Sequence, residues 1–319
     1  MANATTAFRQ FIADPIAKRS AALFIWRASQ LLHERTGGRW DAGIVRLIAA
    51  LRPKVALPSS PYMDERAIVE SVAALKKCGW NILPFQLSTQ SIDEITQFAF
   101  STPAYALSPS ERIPVNANEP PRQHPRYEWR ISELISLPAV QNLLADSALY
   151  QVAQSYIGCR PVLTSITLWL DTVHDGKFDA HIYHYDNDGP AFLKFFIYLS
   201  DVDIDSGAHT YIQGSQGHIK PPQFHRSQRY DRDELLRHYG DANEIVFAAP
   251  AGTIIAEDTA GFHRGMDPTT RPRLLMQIEY AALDIPHVEE FILGVVPVRI
   301  AGLSAGAALI ARKFALVNA

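Results

Sequence analysis

Cysteine is scarce in this chain, with only Cys78 and Cys159 among 319 residues. Two cysteines are too few for a disulfide framework or a cysteine-based zinc site. Long apolar runs are also missing near the ends: the longest uncharged stretch there, 300–311, has 12 residues, whereas a membrane-spanning helix needs about 20. The amino terminus does not follow the basic, apolar, small-residue order of a signal peptide. We therefore expect a cytoplasmic protein with reduced thiols and no transmembrane segment.

Charge of neither sign dominates, because the formal net charge is −3, and no nucleic-acid motif occurs. The distribution is uneven: residues 1–55 carry nine Lys and Arg against three acidic residues, a net +6, which leaves −9 on the remainder. An acidic body repels phosphates, so we expect no nucleic-acid partner. The basic segment either packs on that body with its charges in solvent, or makes a peripheral contact with an anionic membrane surface or an acidic partner.

Helical spacing of apolar residues occurs in several stretches, and the spacing Ser91-Ile92-Asp93-Glu94 predicts a capping box that opens one of them. The predicted helices cover 7–51 (broken at Pro15 and at Gly37-Gly38), 64–77, a segment from Ser91, 138–156 and 304–316. We divide the chain into a basic helical N-terminal extension (1–55), a central domain (56–290) and a C-terminal helical tail (291–319).

The central domain is rich in short β-type runs that Gly, Pro, Asp and Asn separate, which is typical of an antiparallel sandwich or barrel. The predicted strands are 162–170, 181–186, 192–199, 210–212, 244–248, 253–256 and 274–280. Two segments, 101–135 before these strands and the charged stretch 219–243 among them, are predicted to be lids, since long loops of this kind commonly cover sites. The predicted fold class is mainly β with flanking helices.

The run Ala180–Asp186 contains a candidate metal-binding pair. On an extended strand, residues i and i+2 point to the same face, so His184 and Asp186 can hold one ion together. The best candidate for a further ligand is His263, which follows a β-run and an acidic turn. Two histidines and one carboxylate leave coordination positions open, as in non-haem Fe(II) oxygenases, although zinc hydrolases also use these ligands.

A cation that binds the far carboxylate of a 2-oxoacid would distinguish these alternatives. Arg273 lies ten residues after His263, at the start of a β-run. A buried guanidinium needs an anion and binds a carboxylate with two hydrogen bonds. Arg271 is the competing candidate, and Lys194, on a strand face shared with Phe196 and Tyr198, is a further candidate contact for this cosubstrate.

Four stretches in this order resemble the phytanoyl-CoA dioxygenase family of Fe(II)/2-oxoglutarate-dependent oxygenases; they are 184–186, 192–202, 206–215 and 250–273. The resemblance spans roughly residues 64–282. It implies a double-stranded β-helix (jelly roll, cupin-like) core, with His184, Asp186 and His263 as iron ligands and Arg273 as the 2-oxoglutarate clamp. It also implies Fe(II), 2-oxoglutarate and O2 as cofactor and cosubstrates. Gln216 stands where the family often has a histidine, in a turn that is not usually a ligand position.

The resemblance further implies hydroxylation of an unactivated C–H bond of a small molecule, with release of succinate and CO2. A redox-neutral isomerase or hydrolase that uses another divalent metal remains an alternative, because fold does not fix function. Arginines in the predicted lids favour an anionic substrate only mildly; they are Arg122, Arg126, Arg130, Arg226 and Arg229. Of the other histidines, His181 is expected to be a surface or packed imidazole, and solvated side chains are expected for His209, His218, His225 and His238.

Overall fold

The computed structural model describes residues 15–106, 114–176, 178–217, 219–225, 228–283, 298–300 and 316–318. The α-helices in these ranges are α1 (Pro15–Thr36), α2 (Asp41–Leu51), α3 (Glu65–Cys78), α4 (Thr89–Ser101), α5 (Ile131–Leu134), α6 (Pro138–Ala145), α7 (Ala148–Ile157) and α8 (Arg232–Tyr239). The strands are β1 (Trp80–Gln86), β2 (Ala104–Ala106), β3 (Pro114–Val115), β4 (Arg126–Glu128), β5 (Val162–Asp171), β6 (Phe192–Tyr198), β7 (His209–Ile212), β8 (Glu244–Phe247), β9 (Thr253–Glu257), β10 (His263–Gly265), β11 (Arg273–Ala281), β12 (Val298–Ile300) and β13 (Leu316–Asn318).

Two antiparallel sheets form the core of the molecule. The large sheet has the order β1-β9-β6-β11-β5-β4-β2-β3, and the small sheet has the order β10-β7-β8. Residues of both sheets line one cavity, so the sheets face each other as the walls of a jelly roll. The predicted class, mainly β with flanking helices, is confirmed.

The two faces of strand β5 have different environments: one packs in the hydrophobic core and the other lines a cavity between the sheets. Ile166, Leu168 and Leu170 belong to the main hydrophobic core, which also contains residues of α3 and α7. The alternate residues Thr167 and Trp169 line the cavity between the sheets. Because successive side chains of a strand point to opposite faces, one face is buried under helices and the other is available for a ligand.

Several predicted helix boundaries differ from the structure. Helix α3 agrees with prediction, because Asp64 caps its start and Gly79 ends it with a φ of 87°. The capping box at Ser91 is wrong: Ser88 is the N-cap, and its hydroxyl accepts a hydrogen bond from the Ser91 backbone. The predicted helix 138–156 is divided into α6 and α7 at Asp146, which is extended. Residues 1–14 lie outside the described residues.

Two predicted segments adopt other structures, and a third lies almost entirely outside the described residues. The predicted strand 181–186 begins with a 3-10 turn, Asp179–His181, and then makes only isolated bridges through Tyr183 and His184. The predicted lid 101–135 contributes β2, β3 and β4 to the large sheet, because short extended pieces between its prolines pair with one another and with β5. The predicted tail helix 304–316 lies outside the described residues except for its last residue, which begins β13.

The N-terminal helices pack on the rest of the chain. The side chain of Gln30, in α1, donates a hydrogen bond to the carbonyl of Asn187. Ile48, in α2, is part of the main hydrophobic core. Among the helices of the described ranges, none has the length and apolar character needed to cross a membrane.

Candidate metal centre

The extended segment after the 3-10 turn brings His184 and Asp186 beside His263. His184 forms an antiparallel bridge with His263, the first residue of β10, and their backbones exchange hydrogen bonds of 3.1 and 2.9 Å. The Asp186 N–H donates to the carbonyl of Thr259 at 2.8 Å, which fixes the segment two residues further on. The structure therefore brings together the three side chains that the sequence singled out.

The three side chains have the spacing of a metal site. One ligand atom from each lies within 4.8 Å of the others. Nε2 of His263 is 3.5 Å from Oδ2 of Asp186, and Nε2 of His184 is 3.9 Å from Oδ1. Atoms at these separations can share one ion bound about 2.1 Å from each of them.

Backbone carbonyls hold both imidazoles in the tautomer that metal binding requires. Nδ1 of His184 is 2.9 Å from the carbonyl oxygen of Ile182, and Nδ1 of His263 is 3.0 Å from that of Gly261. A carbonyl oxygen only accepts, so each Nδ1 carries the proton and each Nε2 presents a lone pair. Burial lowers the pKa of both imidazoles and keeps them neutral. This donor set fits a divalent cation.

Asp186 is also held by Lys194. The Lys194 Nζ is 2.6 Å from Oδ2 of Asp186, 2.8 Å from Oδ2 of Asp188 and 3.9 Å from Oε2 of Glu279. Burial opposes ionisation of Asp186, but the Lys194 ammonium holds the pKa of this carboxyl below its usual range. Lys194 therefore grips one carboxylate oxygen, and the other faces His184. The predicted contact of Lys194 with 2-oxoglutarate stays a prediction.

A cavity of about 350 Å³ lies between the two sheets beside these ligands, and we name it the inner cavity. Its walls include Ser165, Thr167, Trp169, Lys194, Phe196, Arg273, Leu275, Gln277 and Glu279 from the large sheet and His209, His263 and Gly265 from the small sheet. His184 and Asp186 also line it. Gly265 is needed there because a Cβ atom at this position would lie 2.6 Å from Nη2 of Arg273.

Arg273 is buried in the wall of the inner cavity, with 1% of the residue exposed. Its Nη2 lies 2.5 Å from Oδ2 of Asp171, and its Nη1 donates to the carbonyl of Gly207. Arg126 donates to both oxygens of the same carboxylate, at 2.6 and 3.2 Å. Two guanidinium groups around one carboxylate leave this part of the wall with a net positive charge.

Arg271, the competing candidate, lies elsewhere. Its side chain is 51% exposed and pairs with Asp203, 2.5 Å away, at the surface. It does not line the inner cavity. Of the two arginines, only Arg273 is therefore placed to meet a ligand of the inner cavity.

Three buried donors on residues of the inner cavity have no hydrogen-bond acceptor. They are Nε of Arg273, Oγ1 of Thr167 and Nε1 of Trp169. The register of β5 and β11 brings them together, since Trp169 is opposite Leu275 and Arg273 is opposite Asp171. An unpaired buried donor costs about 1–3 kcal/mol, so the cavity favours a ligand rich in acceptors, such as a dicarboxylate.

A second cavity of about 930 Å³ shares His184 and Asp186 with the inner cavity, and we name it the outer cavity. It is further lined by α1 and its end (His33, Glu34, Gly37), by Asp179 and Tyr185, and by the predicted second lid (Lys220, Pro221, Pro222, Phe224, His225, Gln228, Arg229). Burial lowers the pKa of Lys220 to about 8, and its Nζ donates to the carbonyls of Ser215 and Gly217. The N-terminal extension thus forms part of a wall next to the candidate metal ligands.

The prediction that His209 is solvated is wrong. His209 begins β7, lines the inner cavity and stacks near Phe196, with ring centroids 4.5 Å apart. Its Nε2 is 3.0 Å from Oε1 of Glu257. Burial lowers the pKa of His209 to about 3 and raises that of Glu257 well above its usual value, so burial favours the uncharged form of each group. The alternation in 209–212 could have indicated the inward position of His209.

The remaining predicted positions are divided between the surface and the interior. His225 and His238 are exposed, and His181 is packed in the interior, as predicted. Arg126 does not belong to a lid: it is buried in β4, with its guanidinium 4.0 Å from the centroid of Trp169. His218 and Arg226 lie outside the described residues.

Comparisons with known proteins support the fold. No family model and no curated protein matches the chain. Among solved structures, the chain is similar to the epimerase SnoN in complex with Fe3+, alpha ketoglutarate and nogalamycin RO, with 17% identity, a TM-score of 0.50 and coverage of 69% of this chain and 85% of SnoN. It is also similar to HygX from Streptomyces hygroscopicus with nickel, 2-oxoglutarate and hygromycin B bound, with 16% identity, a TM-score of 0.45 and coverage of 66% of this chain and 86% of HygX. A further similar structure is EctD from S. alaskensis with bound Fe, with 18% identity, a TM-score of 0.45 and coverage of 74% of this chain and 83% of EctD. Of these three, the similarity to SnoN, with its TM-score of 0.50, supports a shared fold, the double-stranded β-helix core expected from the sequence.

Proposed function

We propose that this chain is an Fe(II)/2-oxoglutarate-dependent dioxygenase that hydroxylates an unactivated C–H bond of a small molecule. The observation that carries the proposal is the convergence of two neutral imidazoles and one carboxylate beside a cavity with a buried guanidinium. Residues 56–290 form the catalytic domain in this proposal, and the motif order supports membership of the phytanoyl-CoA dioxygenase family.

His184, Asp186 and His263 hold the Fe(II) ion in this proposal. Three protein ligands leave coordination positions for a chelating 2-oxoacid and for dioxygen. Bound iron supplies the oxidising power, by coupling decarboxylation of 2-oxoglutarate to oxidation of the substrate. Lys194 keeps Asp186 ionised and oriented, because its ammonium lies 2.6 Å from one carboxylate oxygen.

Arg273 binds the far carboxylate of 2-oxoglutarate in this proposal. Its unpaired Nε and the unpaired hydroxyl of Thr167 offer hydrogen bonds to carboxylate oxygens. Arg126 and Asp171 keep the guanidinium of Arg273 in place. The inner cavity, at about 350 Å³, has room for a five-carbon diacid and excludes a large substrate.

The substrate occupies the outer cavity in this proposal. This cavity has the larger volume, about 930 Å³, and it reaches the same two ligands, His184 and Asp186. Lys220 and Arg229 on its wall support an anionic or polar small molecule, although the wall also carries the acidic residues Glu34 and Asp179. A peripheral membrane contact of the N-terminal extension stays a prediction.

The test is a screen of candidate small molecules for succinate release with Fe(II), ascorbate and 2-oxoglutarate. We expect succinate and oxidised product in equal amounts, with no turnover when Zn2+ or Co2+ replaces Fe(II). A His263→Ala variant should abolish both products, and His238→Ala, an exposed histidine on α8, is the matched control. Conversion of a substrate without succinate, or with Zn2+ in place of Fe(II), would instead support the redox-neutral isomerase or hydrolase.

A further inference from the structure

A second group of two histidines and one carboxylate lies apart from the candidate iron ligands. It consists of His174, in the loop after β5; His181, at the end of the 3-10 turn; and Asp267, between β10 and β11. One ligand atom from each lies within 4.8 Å of the others. None of the three lines the inner or the outer cavity, so the proposed reaction leaves this cluster without a role.

The two histidines of the cluster are buried, and its carboxylate is exposed to solvent. The side chains of His174 and His181 are only 2% and 1% exposed, whereas that of Asp267 is 56% exposed. Oδ1 of Asp267 is 2.5 Å from Nδ1 of His181 and 3.5 Å from Nε2 of His174. An ion that enters from solvent would therefore meet the carboxylate first and the two imidazoles behind it.

His174 presents an unsatisfied lone pair to this carboxylate. Its Nδ1 is 2.9 Å from the carbonyl of Thr172, which only accepts, so Nδ1 carries the proton of the neutral ring. Nε2 then has a lone pair that faces Asp267, another acceptor, and it is buried with no hydrogen-bond partner. A cation between these two acceptors, either a metal ion or a proton on Nε2, would relieve this arrangement.

His181 has an unpaired ring nitrogen on the side away from Asp267. Its Nδ1 donates to Asp267, while its Nε2 is buried without a hydrogen-bond partner, 3.9 Å from Oδ1 of Asp171. Metal binding at Nδ1 would place the ring proton on Nε2, on the side of Asp171, whose Oδ1 is 3.9 Å away and beyond hydrogen-bond distance. His174 already has the outer partner typical of a metal-bound histidine, the carbonyl of Thr172.

We propose that His174, His181 and Asp267 bind a second divalent metal ion of the zinc type. Two nitrogens and one carboxylate oxygen suit four-coordinate Zn2+, and water from the exposed side completes the set. Partial burial opposes ionisation of Asp267, but the hydrogen bond from His181 holds the pKa of this carboxyl below its usual value, so the ligand is charged at neutral pH. The ion would join the loop after β5 to the loop before β11.

The test uses a variant that lacks one of the candidate iron ligands, so that metal bound by the second cluster can be measured separately. Full-length protein with His184→Ala, stripped by a chelator, is dialysed against Zn2+ or Co2+, and bound metal is measured by elemental analysis. We expect one equivalent in this protein and none after His174→Ala is added. The control His184→Ala/His238→Ala should retain one equivalent. With Co2+, the intense visible absorption of tetrahedral coordination should appear in the first protein and disappear with His174→Ala.

A variant at the exposed residue guards against misfolding. Asp267→Asn removes the ligand charge but can still accept a hydrogen bond from His181, so the metal-free protein should still fold, with a melting temperature lowered only by the loss of the charge. We expect it to weaken Zn2+ binding by about tenfold or more and to lose the Zn2+-dependent rise in melting temperature. The proposal is overturned if the His184→Ala protein binds no Zn2+ or Co2+. It is equally overturned if neither His174→Ala nor Asp267→Asn changes the binding. Neither result bears on the proposed oxygenase activity.

Discussion

Replacement of Arg273 by alanine tests whether this residue binds the far carboxylate of 2-oxoglutarate. The change removes a guanidinium that is 1% exposed and lines the inner cavity. Asp171 keeps two hydrogen bonds from Arg126, at 2.6 and 3.2 Å, so the variant does not leave this buried carboxylate unpaired. We therefore expect the variant to fold, with iron binding unchanged, because Arg273 contacts none of the three candidate iron ligands.

The size of the effect follows from the burial of the site. Removing one partner of a desolvated, hydrogen-bonded charge pair typically costs about 2–5 kcal/mol. At about 1.4 kcal/mol per factor of ten, this corresponds to a rise of roughly 30-fold to several thousand-fold in the KM for 2-oxoglutarate. The lower end applies here if Arg126 turns its guanidinium partly toward the vacated space.

The matched control is Arg271→Ala. Arg271 is the same residue type two positions earlier, but it makes an exposed ion pair with Asp203 that is worth about 0–1 kcal/mol. Succinate formation is followed against 2-oxoglutarate concentration in wild type, both alanine variants and Arg273→Lys, which keeps the charge but not the two-pronged geometry. Relative to wild type, we expect a large increase in KM for Arg273→Ala, an intermediate increase for Arg273→Lys and no increase for Arg271→Ala. An unchanged KM in Arg273→Ala, or a large increase in Arg271→Ala, would refute the assignment.

Three further predictions concern other parts of the site. His184→Ala should abolish iron retention after gel filtration, whereas His225→Ala, an exposed histidine of the outer cavity, should not. Burial lowers the pKa of Lys220 to about 8 in the folded chain, against 10.5 for an exposed lysine, so the unfolded chain binds more protons between these pH values. The free energy of unfolding should therefore rise by up to about 3 kcal/mol as the pH increases from 8 to 10.5. Urea titrations of Lys220→Met should lack this rise. Removal of residues 1–36 should leave the KM for 2-oxoglutarate unchanged but raise that for the substrate, since α1 lines only the outer cavity; equal increases in both would contradict this placement.

The candidate metal ligands could be found from the sequence because their geometry is local or is signalled by a motif. His184 and Asp186 share a face by virtue of their i and i+2 spacing, and this holds although the segment is not a regular strand. His263 was found through the glycines around it and its place after a β-run. The resemblance to a family supplied the order of the pieces, which spacing alone does not specify.

The charged residues around Arg273 could not be found in this way, because their contacts depend on pairing between distant strands. Asp171 lies opposite both Arg126 and Arg273 in the large sheet, and this register brings three charges together. From the sequence, Arg126 belonged to a proline-rich loop and Asp171 only followed a strand. A strand of three residues such as β4 carries too little periodicity to be recognised before its neighbours are known.

The position of the N-terminal extension has a consequence for the proposed reaction. The sequence suggested a basic appendage, but His33 and Glu34 line the cavity that reaches the candidate iron ligands, and Gln30 is hydrogen-bonded to Asn187, the residue after Asp186. A substrate bound there would touch α1, whereas 2-oxoglutarate in the inner cavity would not. The two ligands therefore depend on separate sets of residues around shared metal ligands, so the substrate wall can change without loss of the cosubstrate site.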